Sequence, residues 1–199
     1  MQTPLIISFY TENTPYQLEV LNLISSCREH GLEFEVQALS CRGSWELNCA
    51  QKPLFIRDKL KEKKRPLLWV DADAIFRKPP DFSHLKPFDF SVREVLYHLH
   101  DRRFRFQAST LFINYTESAL CFADKWASHC QKKIEENREL AFLDQTSLYD
   151  LLPQEQSLCI GSLPLAYCKV FDTDAPLINQ EEVVIELFQA SRRFKHLIQ

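Results

Sequence analysis

Residues 67–76 read Leu-Leu-Trp-Val-Asp-Ala-Asp-Ala-Ile-Phe, four apolar residues that stop on two aspartates one residue apart. Leu67, Leu68, Trp69 and Val70 have the composition of a strand buried on both faces, as in parallel sheets covered by helices. Carboxylates placed there need a compensating charge, because burying an unpaired anion is costly. In open α/β sheets ligands sit beyond the carboxyl ends of the strands, which is where Asp71 and Asp73 fall.

The flanking sequence supplies the rest of such a sheet. Leu5 to Tyr10 reads as a short apolar strand, and Thr14-Pro15-Tyr16-Gln17 combines a capping box with proline at the first helical position. A helix is expected from there to a stop at Gly31, after which Leu32, Phe34, Val36 and Ala38 alternate with polar residues as a second strand. A helix opening near Pro53 leads to the strand at 67–70, and this order most often gives right-handed parallel crossovers.

The second half predicts strands at 88–92 and 108–113, and a helix over 116–137 with Ala119, Phe122, Ala123, Trp126, Cys130 and Ile134 on one face. A short helix capped by Asp144 is expected through Leu152, then a small strand at 158–160. Residues 181–197 read as a final amphipathic helix packing Val184, Leu187, Phe188 and Phe194 on the domain. Its basic end, 192–196, like the one at 59–65, reads as a solvated face favoured by the helix dipole.

The 199 residues, 45% of them hydrophobic, suit one domain with a substantial core. With 24 Lys+Arg against 27 Asp+Glu the net charge is −3, so nothing global favours nucleic acid as a partner. No segment has the length and apolarity of a membrane span, and the first residues lack the regions of a signal peptide. Seven cysteines, odd in number and without a C-x-x-C pair, suggest reduced thiols in a cytosol, hence a cytoplasmic location.

Only three glycines occur, at 31, 43 and 161, so the glycine-rich loops that cradle phosphates are absent. A divalent cation can neutralise a diphosphate instead, and carboxylates are the hard oxygen ligands that Mg2+ or Mn2+ takes. The structural alternative is one aspartate capping a turn and the other paired with Arg77 or Lys78. A haloacid-dehalogenase-type phosphatase also places D-x-D after an apolar strand. That motif usually stands near the N-terminus with Thr or Val two residues after the second Asp, whereas here two strands precede it and Ile75 follows Ala74.

Several ordered motifs resemble nucleotide-diphospho-sugar glycosyltransferases of the GT-A type, from a small bacterial group. They are Phe9-Tyr10-Thr11 with Tyr16; Ser44-Trp45 with Asn48, Lys52 and Pro53; Pro66 with Trp69, Asp71, Ala72 and Asp73; Pro79; and Leu143-Asp144-Gln145. The resemblance implies a GT-A-like, Rossmann-type α/β sandwich with a central mostly parallel sheet flanked by helices. Residues 1–92 would form its donor-binding half and 104–199 its acceptor-side half, within one domain spanning 1–199.

It further implies a nucleotide-sugar donor, first a UDP-sugar, and Mn2+ or Mg2+ bound by Asp71 and Asp73, with Asp71 also reaching the ribose. Tyr10 and Thr11 would contact the base or ribose, Trp45 and Asn48 would shape the donor site, and Lys52 would meet a diphosphate or sugar hydroxyl. Asp144 and Gln145 would face the sugar as catalytic residues. The acceptor, whether glycan, lipid or protein, is not implied.

The region 163–172 lacks the late histidine that many such enzymes add as a third metal ligand; Asp172, water or substrate would have to replace it. His98 and His100 form an H-x-H that reads as a polar loop over the site. The missing histidine keeps open a different class, a non-catalytic nucleotide-sugar-binding or scaffold domain with the same fold.

Overall fold

The structure, a computed structural model, describes residues 2–198. β1 (Leu5–Thr11) leads through α1 (Tyr16–Glu29) to β2 (Phe34–Leu39). α2 (Trp45–Cys49) and α3 (Lys52–Lys63) lead to β3 (Leu67–Val70) and β4 (Ala74–Phe76). β5 (Phe90–Glu94), β6 (Phe106–Ile113), α4 (Glu117–Glu135), α5 (Leu143–Leu151) and β7 (Ile160–Ser162) follow, then β8 (Lys169–Val170), β9 (Ile185–Leu187) and α6 (Ser191–Phe194).

The central sheet has six strands in the order β2-β1-β3-β6-β5-β7. β1 is parallel to β2 and β3, and β5 is parallel to β7, while β6 runs antiparallel to both β3 and β5. Five strands therefore point one way and β6 alone is reversed, which is the mostly parallel sheet expected.

Alternation along the strands builds a core on each face, since successive side chains point to opposite sides. Leu5, Ile7, Phe9, Leu67 and Trp69 join Phe55, Ile56 and Leu60 of α3 and Phe122 and Trp126 of α4 in one buried cluster. Ile6, Leu68 and Val70 face the other way, onto Val20, Leu23 and Cys27 of α1. That second face is also covered by a small sheet, ordered β4-β9-β8.

The small sheet corrects the reading of 181–197 as one amphipathic helix. Ile185–Leu187 is a strand, antiparallel to β4 and parallel to β8, and only Ser191–Phe194 is α-helical. The run Val183-Val184-Ile185 is β-branched and loses side-chain freedom in a helix, and all three side chains are buried. Glu186 is held in the sheet by Lys169 Nζ at 2.7 Å and Arg77 Nε at 2.7 Å.

Two capping expectations also differ. The Thr14 hydroxyl donates to the Thr11 carbonyl at 2.7 Å instead of accepting from Gln17, whose N–H bonds the Thr14 carbonyl at 3.1 Å. The hydroxyl thus closes the turn that carries the chain off β1, with Asn13 in the left-handed region at φ 58°. Asp144 lies in the first turn of α5 rather than ahead of it, because Phe142 adopts φ 55° and the helix starts at Leu143. Its carboxylate turns inward to a buried lysine.

Candidate functional site

A cleft of about 700 Å³ opens beyond the ends of β1 and β3. It is lined by the residues expected to bind donor or metal or to face the sugar: Tyr10, Thr11, Trp45, Asn48, Lys52, Asp71, Asp73, Asp144 and Gln145. They arrive from β1, α2, the start of α3, the end of β3 and the first turn of α5.

Lys52 is the hub. It is 5% exposed, and its Nζ lies 2.6 Å from Asp144 Oδ2, 3.0 Å from Asp71 Oδ1 and 3.0 Å from the Ala108 carbonyl. The ammonium also sits 5.4 Å from the centre of the Trp69 ring, whose Nε1 donates to Asp71 Oδ1 at 2.9 Å. Burial alone would depress the lysine, but Asp144 first and Asp71 next outweigh it, so its pKa rises and the charge is held.

A break in the β5–β6 ladder explains why Ala108 is available. Val92 pairs with Leu111 but the next residue, Arg93, pairs with Gln107, so residues 108–110 leave the β5 ladder. Buried backbone groups still need partners. Lys52 takes the Ala108 carbonyl, and Gln145 Oε1 accepts from the Ala108 N–H at 3.1 Å while its Nε2 donates to the Arg103 carbonyl at 2.8 Å. Gln145 therefore lines the cleft with both ends of its amide engaged.

The two aspartates of the motif are held differently. Asp73 Oδ2 accepts from the Ala190 N–H at 2.6 Å, so the segment after β9 is tied to the motif. Burial pushes the Asp71 carboxyl up to about 6, and Asp73 and Asp144 add to that while Lys52 opposes it. Asp73 is raised as well, chiefly by burial and against the Ala190 hydrogen bond. Paired carboxylates that resist ionising together are a donor set suited to a hard divalent cation.

Among the described residues, no cluster of three His, Cys, Asp or Glu side chains is placed to enclose a metal. Asp172, the carboxylate that could replace the missing histidine, is engaged by Arg192 Nη1 at 2.5 Å and does not line the cleft. His98 lines the cleft and His100 does not.

The remaining expected residues build the walls. Trp45 Nε1 donates to the Tyr16 hydroxyl at 3.0 Å, and the ring meets Phe142 edge-on. Asn48 is buried, accepting from the Arg42 N–H at 2.7 Å and donating to Cys41 Sγ at 3.3 Å, which fixes the loop before α2. Thr11 shares a 3.0 Å hydroxyl contact with Thr14, and Tyr10 packs against the α1-side core while lining the cleft.

Residues outside the motifs complete the lining, chiefly Arg93, Asp174, Gln107, Ser109 and Arg192. A charged residue directly after the apolar Phe90-Ser91-Val92 was the available signal for Arg93. Nothing local marks Asp174, which lies 81 positions further on.

No protein-family model and no curated protein matches the sequence. Solved structures do match in shape. A glycosyltransferase involved in glycosylating the major capsid of PBCV-1 superposes with a TM-score of 0.71 at 13% identity, over 96% of each chain. The chain has a GT-A-like glycosyltransferase fold. The galactosyltransferase LgtC, solved with donor and acceptor sugar analogues, gives a TM-score of 0.57 at 13% identity over 93% of this chain and 87% of its own. The glycosyltransferase GlyE of Streptococcus pneumoniae TIGR4 gives 0.60 at 14% identity over 94% of this chain and 55% of its own.

The GT-A-like fold places its cleft around a buried charge, which gives two expected outcomes. Lys52→Met leaves Asp144 and Asp71 without their cation and should cost about 3–5 kcal/mol of unfolding free energy, measured in urea. Asp71 titrates higher in the folded state than an unfolded aspartate at about 3.9, so it favours folding when protonated and opposes it as pH rises from about 4 to 6. Asp71→Asn should therefore lose less unfolding free energy than the wild type as pH rises from about 4 to 6, measured by urea titration across that range.

Proposed function

We propose that the protein is a glycosyltransferase that moves a sugar from a nucleotide-sugar donor, first a UDP-sugar, to an acceptor. Mn2+ or Mg2+ would be held by Asp71 and Asp73. The observation that carries this reading is the charge of the cleft. Its lining includes five carboxylates, Asp71, Asp73, Asp101, Asp144 and Asp174, against three fixed cations, Lys52, Arg93 and Arg192. A diphosphate enters such a cleft favourably only with an added cation, and the GT-A-like fold puts the aspartate pair at the strand end where ligands gather.

When bound, the ion supplies charge stabilisation for the departing diphosphate. The chain's own residues do the rest. Tyr10 and Thr11 contact the base and ribose, and Trp45, braced by Tyr16, with Asn48 shapes the donor site. Lys52 keeps Asp71 ionised and oriented. Asp144 presents its carboxylate beside the reacting face, and Gln145 holds the looped-out β6 backbone against it. Substrate and water complete the ion's shell.

The donor half of the site lies in residues 1–92 and the acceptor side in 104–199, in one domain. The resemblance is to bacterial proteins, and seven free thiols suit a reducing cytoplasm. No described helix is long and apolar enough to cross a membrane.

A second reading, a nucleotide-sugar-binding protein without turnover, draws on the engaged state of Asp144 and Gln145. Release of nucleoside diphosphate from a bound donor separates the two. For the donor site itself, a thermal-shift series with UDP-, GDP-, CMP- and dTDP-sugars, with manganese and with chelator, is decisive. One nucleotide should raise the melting temperature by about 5–10 °C at saturation, only with metal, and not in Asp73→Asn. No shift with any donor would remove the proposal.

A further inference from the structure

Every lysine and arginine that lines the cleft is already claimed by a carboxylate. Lys52 is held by Asp144 and Asp71, and Arg192 by Asp172. Arg93 is clasped at two points by Asp174, Nη1 to Oδ2 at 2.5 Å and Nη2 to Oδ1 at 2.8 Å. This last pair is buried, with Arg93 7% and Asp174 1% exposed. Asp174 Oδ2 also accepts from the Val170 N–H at 2.8 Å, and Arg93 Nη1 also donates to Gln107 Oε1 at 2.8 Å.

Two uncharged polar groups on β6 come next, Gln107 against Arg93 and Ser109 two residues further along. Gln107 and Ser109 line the cleft, and Gln107 Nε2 and Ser109 Oγ are buried with no hydrogen-bond partner among the described residues. They offer an amide donor and a hydroxyl that can both give and accept. Sugar hydroxyls match such groups. A carboxylate beside them does not: it would lose its water, find the two buried cations, Lys52 and Arg93, already paired, and approach Asp174 and Asp144.

We infer that the sugar ring this cleft accepts is uncharged, and that the Arg93–Asp174 clasp excludes donors whose sugar carries a carboxylate. The inference rests on the nucleotide-sugar reading above. Arg93 and Asp174 balance each other's charge directly, apart from any ion that Asp71 and Asp73 would hold.

Calorimetry on the full chain with Mn2+ tests it with matched probes: UDP, UDP-glucose and UDP-glucuronate, then GDP, GDP-mannose and GDP-mannuronate. The neutral sugar should bind about tenfold or more tightly than its acid counterpart in the pair whose free nucleotide binds. Asp174→Asn, which uncovers the Arg93 charge, should narrow or reverse that ratio; where this variant does not fold, the wild-type ratio decides. Equal or tighter binding of the acid form, with the free nucleotide bound, overturns this inference alone. Failure of both free nucleotides to bind overturns this inference, and the donor reading falls with it only where the thermal-shift series shows no response to any of its four nucleotides.

Discussion

A single buried ammonium organises this molecule. Lys52 opens α3, yet its Nζ joins the end of β3, the looped-out turn of β6 and the first turn of α5. A cation in the interior is tolerated only when its partners satisfy it, so these three segments cannot separate without exposing an uncompensated charge. The same requirement turns the Asp144 carboxylate to the lysine and fixes one oxygen of Asp71 between Lys52 and Trp69. The fold and the candidate site thus share one electrostatic constraint.

The irregularity of β6 follows the same logic. A regular ladder would have spent the backbone groups of Ala108 on β5; the register shift releases them to Lys52 and Gln145. The gap beside the shift is where Arg93, Gln107 and Ser109 meet the cleft. A GT-A-like sheet therefore carries an aromatic-rich pocket with surplus negative charge and, among the described residues, two unpartnered polar groups in its wall. That combination suits a cation-dependent diphosphate with an uncharged sugar, and raised aspartate pKa values are the stability cost of holding it ready.

Much of this was legible in local sequence. The strand at 67–70, the crossover from Leu5 to Ala38 and the place of Asp71 and Asp73 depend on short apolar runs and period-2 alternation, and the structure keeps them. The strands expected at 88–92 and 158–160 lie two residues later, at Phe90–Glu94 and Ile160–Ser162, as expected of boundaries set by pairing. What failed depended on distant partners. Residues 183–187 have enough apolar spacing to pass for a helix, and pairing with β8 and with β4, the latter more than a hundred positions earlier, makes 185–187 a strand. Likewise Asp144 reads as a cap until Lys52 is brought to it, 92 positions away. The Arg93–Asp174 clasp has no local signature at all.

In the proposed function Asp71 and Asp73 hold a divalent cation for a nucleotide-sugar. A crystal grown with Mn2+ and the nucleoside diphosphate that stabilises the protein, measured at the manganese absorption edge, tests it most directly. An anomalous peak is expected within coordination distance of both aspartates, with the diphosphate against it. A nucleotide bound elsewhere, or manganese absent from Asp71 and Asp73 while the nucleotide occupies the cleft, would contradict it.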